Sequence, residues 1–505
     1  MIFVPIAKMI AEMEVGNEQL SDTEHLSKRQ KTDDASAPMS SPVTSVDANS
    51  FITLIFVDFC KVTPSCIRQP ASECQYHYHK PTYTHQVFDE EKINFLSETT
   101  NRSFTESRLG APSDVEVGTE RNEPGLLIYI NCNDLTHYVT MRSIALKDDR
   151  EALITKMESF LPPCTSYQES EDGDLSLPVE NRPRNTLLKS LVPGKVLASF
   201  AVEVQSKRAC NDLSFELFLA SDKDSGARLL LQRAEKIAIW HIETADSVDF
   251  SDERWEVINL YNVHSSGSSS GCFAGYMTLF TFNNPFLGSK IRVCQALVLP
   301  HMQGLGLGRE MLLAVYNLAS SRSSVVEVTV EDPAPAFERL RDAVDCEWVL
   351  RHLYRENNAP QSLAINHEFF VMVMKDVIAE SAGVSSAEEK ERCKLLKLTP
   401  AQTSFAYEAL QYSVLVLTLM APQDPPCDTH GGDAPSASSL LSASPDYKAF
   451  RLRVKRRILN SNKHFKSLPL AVMQKSLEDL FEELQVRYKY CLEPIKRIYI
   501  SVKDM

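Results

Sequence analysis

The feature that most restricts how this chain can fold is a run in which an aliphatic strand, a glycine loop and an amphipathic helix follow one another without a gap. Ile291 to Leu299 reads IRVCQALVL, β-branched and aliphatic with no Gly or Pro inside it, which predicts a buried strand. Pro300, His301 and Met302 end it, and Gln303-Gly304-Leu305-Gly306-Leu307-Gly308 follows. Met311, Leu312, Val315, Leu318 and Ala319 then recur at helix spacing. Glycines at 304, 306 and 308 remove the side chains that would hold a pyrophosphate away from the backbone. The unpaired N–H groups and positive dipole end of the first helical turn complete an anion site. No Lys-Ser/Thr follows the glycines and the spacing is not G-x-G-x-x-G, so neither a P-loop nor a dinucleotide fingerprint is present.

At 505 residues the chain is too long for one ordinary core, which predicts two or three folded units with flexible connections. Residues 1–50 read as a disordered tail, rich in Ser, Asp, Thr and Pro beyond Gly16. Its basic island Lys28, Arg29, Gln30, Lys31 fits a nuclear import signal and a solvated charge cluster equally. Residues 51–205 alternate short apolar runs with polar loops, as a mixed α/β substrate-binding domain would, and 96–123 and 165–185 read as flexible insertions. Residues 206–350 hold the chemistry, with an expected order of helix, strand, strand, helix, strand, helix from Ser214 onward. Residues 351–505 become helical, interrupted by a linker near 422–445 where Gly, Ser, Ala and Pro dominate.

Composition narrows the partners. The net charge of -14 disfavours binding to a phosphate backbone and suits a basic polypeptide. No run of about 18 apolar residues is present to span a bilayer, and Lys8, Glu12 and Glu14 interrupt the N-terminal apolar stretch, so it does not read as a secretory signal. The 12 cysteines are scattered rather than framed, which predicts free thiols in a reducing compartment. Cys60, Cys66, Cys74, His77, His79 and His85 lack the paired knuckles of a structural zinc site, so no metal is expected. Asn101-Arg102-Ser103 matches a glycosylation acceptor that is irrelevant without secretion. Cys294, inside the strand, reads as core filler.

Carboxylates near the glycine loop are the next candidates, because they could serve general acid–base chemistry there. The alternating strand Val325 to Val330 runs directly into Glu331-Asp332-Pro333. Asp332 before a proline also reads as a helix N-cap. Glu331 has no such structural duty and is the preferred base. Another acidic cluster surrounds Glu243, with Asp249, Asp252 and Glu253 reading mostly as surface charge.

Gln303-x-x-Gly306-x-Gly308 resembles the Q/R-x-x-G-x-G/A motif of the GNAT superfamily of N-acetyltransferases. The resemblance implies an α/β fold with a mixed-sheet acetyltransferase core, an N-terminal α/β domain and a helical C-terminal region. It implies acetyl-CoA as the only cofactor, with Ala296, Leu297 and Val298 serving the pantetheine arm. Gln303, Gly304, Leu305, Gly306, Leu307, Gly308 and Arg309 would then serve the phosphates.

A closer likeness lies in six short matches taken in order: Ile242 to Ala245, Asp252 to Trp255, Gly275 to Thr278, Gln303 to Gly308, Glu331 to Pro333 and Leu340 to Asp342. Together they resemble type B histone acetyltransferase catalytic subunits. That likeness implies Glu331 as general base, supported by Asp332 and Glu243, with Trp255 and Phe280 on the substrate side. Tyr83 to Phe88, followed by Asp89, Glu90 and Glu91, is similar to a stretch that contacts the histone tail, so Glu90 and Glu91 are assigned there. Tyr447 to Leu459 has a counterpart in the terminal helices, and locally Lys455, Arg456 and Arg457 read as a solvated helix face.

The resemblance further implies the tail of the free, newly synthesised fourth core histone as substrate, a WD-repeat histone chaperone as partner, no direct nucleic-acid or membrane contact, and a place in nucleus and cytoplasm. The chain departs from the family pattern at Phe280 (usually tyrosine), at His301-Met302 (usually proline and an aromatic) and at Ala336 (often serine). Two alternatives stay open on sequence: an acetyltransferase for another amine, and a histone-binding module without catalysis.

Overall fold

A computed structural model describes residues 43–58, 75–88, 92–96, 125–142, 147–162, 166–169, 192–205, 210–263, 271–356, 386–420 and 441–500. It begins with β1 (Val43–Asp47) and the single turn α1 (Ala48–Phe51), then β2 (Ile52–Asp58), β3 (Gln75–His79) and β4 (Lys92–Leu96). After these come β5 (Gly125–Asn131), β6 (His137–Arg142), α2 (Lys147–Glu158) and β7 (Ser166–Glu169). β1 pairs with β4, and the other strands form a five-stranded sheet in the order β3-β2-β5-β6-β7. β2 and β5 are parallel neighbours at its centre, covered on both faces, which is why each reads as a continuous apolar run.

The second sheet contains β8 (Lys195–Gln205), β9 (Cys210–Ala220), β10 (Trp255–Val263), β11 (Gly271–Phe282), β12 (Ser289–Val298) and β13 (Val325–Val330), with α3 (Ala227–Ala238) between β9 and β10. Its order is β13-β12-β11-β10-β9-β8. All pairs are antiparallel except β12 with β13, which are parallel and joined through α4 (Leu307–Ser321). α5 (Pro335–Glu356) follows β13.

Strand alternation divides this sheet between two cores. Leu279, Ile291, Val293 and Val328 point to the side of Met311, Leu312 and Val315 on α4 and Val344 and Trp348 on α5. Tyr276, Leu297 and Leu299 point the other way, into a core shared with α3 and the first sheet. That side of the sheet therefore abuts the N-terminal layer.

The C-terminal region comprises α6 (Ser386–Leu396), α7 (Pro400–Met420), α8 (Pro445–Ser461) and α9 (Leu470–Ile500). Its basic run is only partly a solvated face. Lys455 pairs with Glu478, and Arg457 makes a bidentate contact with the buried Glu408 at 2.6 and 2.7 Å, leaving Arg456 as the exposed member. Such matched charges fix α8 against α7 and α9.

Several boundaries differ from those read in the sequence. β1 and α1 lie inside the stretch read as tail, and Asp47 caps α1 by accepting from the Ser50 N–H. β7 falls within the second expected insertion. β8 pairs with β9 along its whole length, so the second sheet starts before position 206. The segment from Cys210 is a strand rather than part of a helix, because Phe215, Leu217 and Leu219 bury one face at a period of two. Three strands, not two, separate α3 from α4. The basic island, Asn101, Cys60, Cys66, Cys74 and most of the linker lie outside the described residues, although Pro445 already opens α8. Among the described residues no helix is long and apolar enough to cross a membrane, and Cys132, Cys272, Cys294, Cys346, Cys393 and Cys491 form no disulfide.

Candidate active site

Pairing between β12 and β13 stops where Val293 meets Val330, and the Glu331 N–H makes the last link, to the Val293 carbonyl at 2.9 Å. Past that point Gln295 to Val298 pair with β11 alone. Leu299 donates to Ala274 O at 2.9 Å, so by alternation the Leu297 backbone also turns to β11 while Ala296 and Val298 turn their N–H and C=O groups to the open edge. Of the three residues assigned to a pantetheine arm, two thus offer backbone there. The Val298 carbonyl accepts from Gln303 Nε2 at 2.9 Å, tying the glycine loop to the strand end.

Gly275 explains its own motif. A Cβ there would lie 2.4 Å from the Leu297 carbonyl oxygen, so β11 approaches the open strand only because position 275 has no side chain.

The loop itself depends on conformation. Gly304 and Gly306 have φ of +81° and +77°, in the left-handed region that side chains disfavour, and a Cβ on either would meet nothing within 4 Å. The flank is open, and the backbone turn is what requires glycine. Gly306 N-caps α4 without a side-chain cap bond, which leaves donors of the first turn facing outward. Leu307 is buried and Leu305 packs against the same core. Gly308 differs, since its Cβ would point at Leu340 Cδ2 on α5, 3.0 Å away. The Arg309 guanidinium is bonded to Glu347 at 2.7 Å through Nε and is also paired with Glu310, so its charge is matched within the protein.

On the other side of the open edge stands Glu331. Its carboxylate is half exposed, 3.4 Å from Arg292 Nη1. Arg292 stacks on Phe282 at 4.6 Å, Phe282 meets Phe280 edge-on at 4.7 Å, and Phe280 meets Trp255 at 4.8 Å. Arg254 covers Phe280 from 4.7 Å. Trp255, Phe280 and Glu331 are therefore linked through side chains on one face of the sheet.

Cys294 lies beside Glu331 in a bulge, where the register steps from Thr278 with Gln295 to Leu279 with Val293 and leaves it unpaired in the ladder. Burial, then the Glu331 carboxylate, push its thiol up to about 12, so it stays protonated rather than acting as a nucleophile. Asp332 is not the helix cap that its proline neighbour suggests. Its φ is +33°, α5 starts at Pro335, and the Ala334 carbonyl takes the first helical bond, from Glu338 N–H at 2.9 Å. The aspartate occupies a strained turn beside Glu331 instead.

Glu243 is exposed and follows α3. Its carbonyl accepts from Gln86 Nε2 at 2.9 Å and lies 3.2 Å from His85 Nε2, so the N-terminal layer grips this segment. Glu90 and Glu91 lie outside the described residues. His77 and His79 sit on β3, where His77 stacks on His301 at 4.3 Å, and no cluster of three or more possible metal ligands occurs among the described residues. Burial and the neighbouring His79 hold His241 neutral, down to about 4.

Sequence reasoning passed over Arg292, Gln295 and Tyr276. Only the bulge brings Arg292 and Gln295 to one face, and no spacing rule signals a bulge.

Known proteins with matching sequences carry one name across several organisms. The histone acetyltransferase type B catalytic subunit of Pyricularia oryzae is 25% identical over 462 residues, covering 84% of this chain and 85% of that protein. The chain is similar in sequence to type B histone acetyltransferase catalytic subunits. Its counterpart in Mycosarcoma maydis is 27% identical, covering 65% of this chain and 69% of its own length. The human protein of the same name is 28% identical over 192 residues, covering 37% and 43%. No protein-family model matches the chain.

The mixed sheet, with its splayed parallel pair and following helix, is a GNAT-like acetyltransferase core. The type B motifs then divide by role. Gly275 to Thr278 pair with the closed edge of the open strand and Gln303 to Gly308 follow its end, whereas Trp255 and Glu331 share the opposite flank. Leu340 to Asp342 is architectural: Leu340 packs over Gly308, and Asp342 pairs with Arg487 of α9 at 2.7 Å. Among the departures from the type B pattern, Phe280 keeps the aromatic contact but supplies no hydroxyl, and Ala336 is exposed at the start of α5.

Proposed function

We propose that the chain is an acetyl-CoA-dependent lysine N-acetyltransferase whose substrate is the N-terminal tail of a free core histone, the newly synthesised fourth core histone in particular. The observation that carries this reading is the open edge of β12 at Ala296 to Val298, ending beside an exposed glutamate. Ala296 and Val298 offer backbone donors for the pantetheine arm and Leu297 packs behind them. Gln303 to Gly308 and the first turn of α4 suit the phosphates, whereas Arg309 has its guanidinium bonded to Glu347 and its N–H donated to the Gly306 carbonyl at 3.1 Å, so its part is to brace the turn. When bound, acetyl-CoA supplies an acyl group activated as a thioester.

Glu331 takes the proton from the lysine ammonium, which it reaches from solvent and from the aromatic flank of Trp255 and Phe280. Asp332 and Glu243 add negative potential that favours the cationic side chain's entry. Glu90 and Glu91, with the overall charge of -14, favour a lysine-rich tail over small neutral amines. A WD-repeat histone chaperone is the proposed partner, and nucleus and cytoplasm the proposed locations.

The test is radiolabelled acetyl transfer to histone tail peptides and to polyamines. Glu331→Gln should lower transfer to the peptide by roughly 10²- to 10³-fold, the scale of a lost general base, with calorimetric acetyl-CoA affinity unchanged. A variant that keeps its rate removes Glu331 from the role of base. Preference for polyamines over peptides removes the histone assignment.

A further inference from the structure

The segment between α3 and β10 carries Glu243, yet almost nothing in its own sequence fixes it. Ile242 to Val248 forms no helix or strand. It is held at successive backbone groups by side chains from three other elements. Gln86 Nε2 donates to the carbonyls of Glu243 at 2.9 Å and Ala245 at 3.3 Å. Glu235 of α3, 4% exposed, accepts from the Val248 N–H at 2.9 Å, and burial raises its pKa. Between these two, the Asp246 carbonyl accepts from Nε2 of Gln295.

Gln295 belongs to the strand that forms the open edge. Its N–H donates to Thr278 Oγ1 at 3.0 Å, and its Oε1 accepts from the hydroxyl of the fully buried Tyr276 at 2.8 Å. The Tyr276 bond consumes the amide's oxygen and so fixes which way the amide faces, leaving Nε2 for Asp246. The bulge at Cys294 makes this possible. Phe280 and Thr278 are two apart on β11 and share a face, and they oppose Arg292 and Gln295, which are three apart on β12. In a regular ladder position 295 would face α4 and could not reach the segment.

We propose that Gln295 is a positioning residue: oriented by Tyr276, it sets the Glu243 segment against the acyl-transfer strand, and Gln86 shares that duty from the N-terminal layer. This rests on the lysine acetyltransferase reading above, and it assigns to Gln295 an effect on lysine substrate rather than on coenzyme.

Gln295→Met keeps length and loses both bonds. It should raise KM for a lysine tail peptide about tenfold, while acetyl-CoA affinity stays within about twofold of the parent. Gln295→Glu retains an acceptor for Tyr276 but no donor for Asp246 and should match Gln295→Met. Tyr276→Phe leaves the donor but frees the amide to rotate, and Gln86→Met acts from the other layer, so each should raise the same KM about threefold. Hydrogen exchange of amides in 242–248 should quicken in all four. Equal losses of peptide and acetyl-CoA binding in Gln295→Met, or an unchanged peptide KM, overturn the proposal. Because Gln86 lies outside the acetyltransferase sheet, its variant decides the question even where a change at 295 disturbs folding. Full activity in Glu331→Gln would refute the base while leaving the KM comparison intact. If the parent chain transfers no acetyl group to peptide, peptide affinity by calorimetry replaces KM, and unchanged affinity in both glutamine variants sinks the proposal.

Discussion

On one flank of Glu331 the site is backbone: the unpaired edge of β12, a loop whose φ angles require glycine, and the first turn of α4. On the other it is side chains from β10, β11, β12 and the N-terminal layer, meeting through stacked rings and amide bonds. On the proposed function, the first flank takes a pantetheine and pyrophosphate, whose repeated polar groups backbone suits, and the second takes a tail lysine, selected by charge and shape. The two flanks should therefore break differently. Glycine changes should cost coenzyme, and side-chain changes should cost peptide.

The largest expected effect is on the backbone flank. Gly275→Ala places a methyl 2.4 Å from the Leu297 carbonyl, a contact that only parting β11 from β12 can relieve. Overpacking against backbone should cost about 3 kcal/mol, read as a lower urea midpoint, with acetyl-CoA affinity falling alongside. Unchanged stability would mean the strands have room that the geometry denies.

Next comes pH, which should act on the flanks with opposite sign. His241 leads into the Glu243 segment with its pKa lowered to about 4 by burial and His79, below the usual 6.5. Between those values the unfolded chain binds a proton that the folded chain refuses, so this stability is complete above 6.5 and is lost as pH falls toward 4. The loss should be about 2 kcal/mol, below the full linkage value because the ring is partly exposed. Behind α4, Asp345 accepts from Tyr316 and from Gln402 at 3.1 Å, and burial lifts it to about 7. The folded chain there holds a proton the unfolded chain has released, so stability declines as pH rises from about 4 through 7. Hydrogen exchange should show residues 240–248 loosening at pH 5 and α4 with α5 loosening at pH 8. The reverse pattern would contradict both assignments.

The same division governed what was legible in the sequence. The flank around the glycine loop is contiguous, from Ile291 to Ala319, so run length, glycine spacing and helix period each report on it. The opposite flank is assembled from residues 86, 246, 255, 276, 280, 292, 295 and 331, and no local rule predicts that Gln295 meets Asp246. Asp332 was misread as a cap because Asp-Pro is a local signal, and tertiary pairing of Glu331 to Val293 delays the helix to Pro335. β8 was given to the wrong layer for the same reason: a strand's sequence says that it pairs, not with which sheet. Lys455 and Arg457 looked solvated because their partners Glu478 and Glu408 are distant in sequence.

Gly306→Ala sharpens the comparison at the loop. Open space surrounds the position, so the cost is only that of forcing a side chain to φ +77°, about 1–2 kcal/mol. If the loop relaxes toward negative φ, the outward donors turn away, and acetyl-CoA affinity should fall about tenfold with peptide affinity unchanged. Equal loss of both would show that the flanks are not separable.

The smallest effect is expected at Gly308, and it tests whether all three glycines serve the ligand. Its Cβ would point not into the loop but at Leu340 Cδ2, the far end of a flexible side chain, 3.0 Å away. Leu340 must yield by a few tenths of an ångström, while alanine inside the first turn of α4 recovers up to about 1 kcal/mol of helix propensity. These terms oppose, so Gly308→Ala should shift stability by less than about 1 kcal/mol and leave acetyl-CoA affinity within about twofold, roughly 0.4 kcal/mol, because the added methyl points away from the loop. Calorimetry beside Gly306→Ala decides it. If Gly308→Ala loses coenzyme as severely as Gly306→Ala, the third glycine faces the ligand, and packing of α4 on α5 does not account for it.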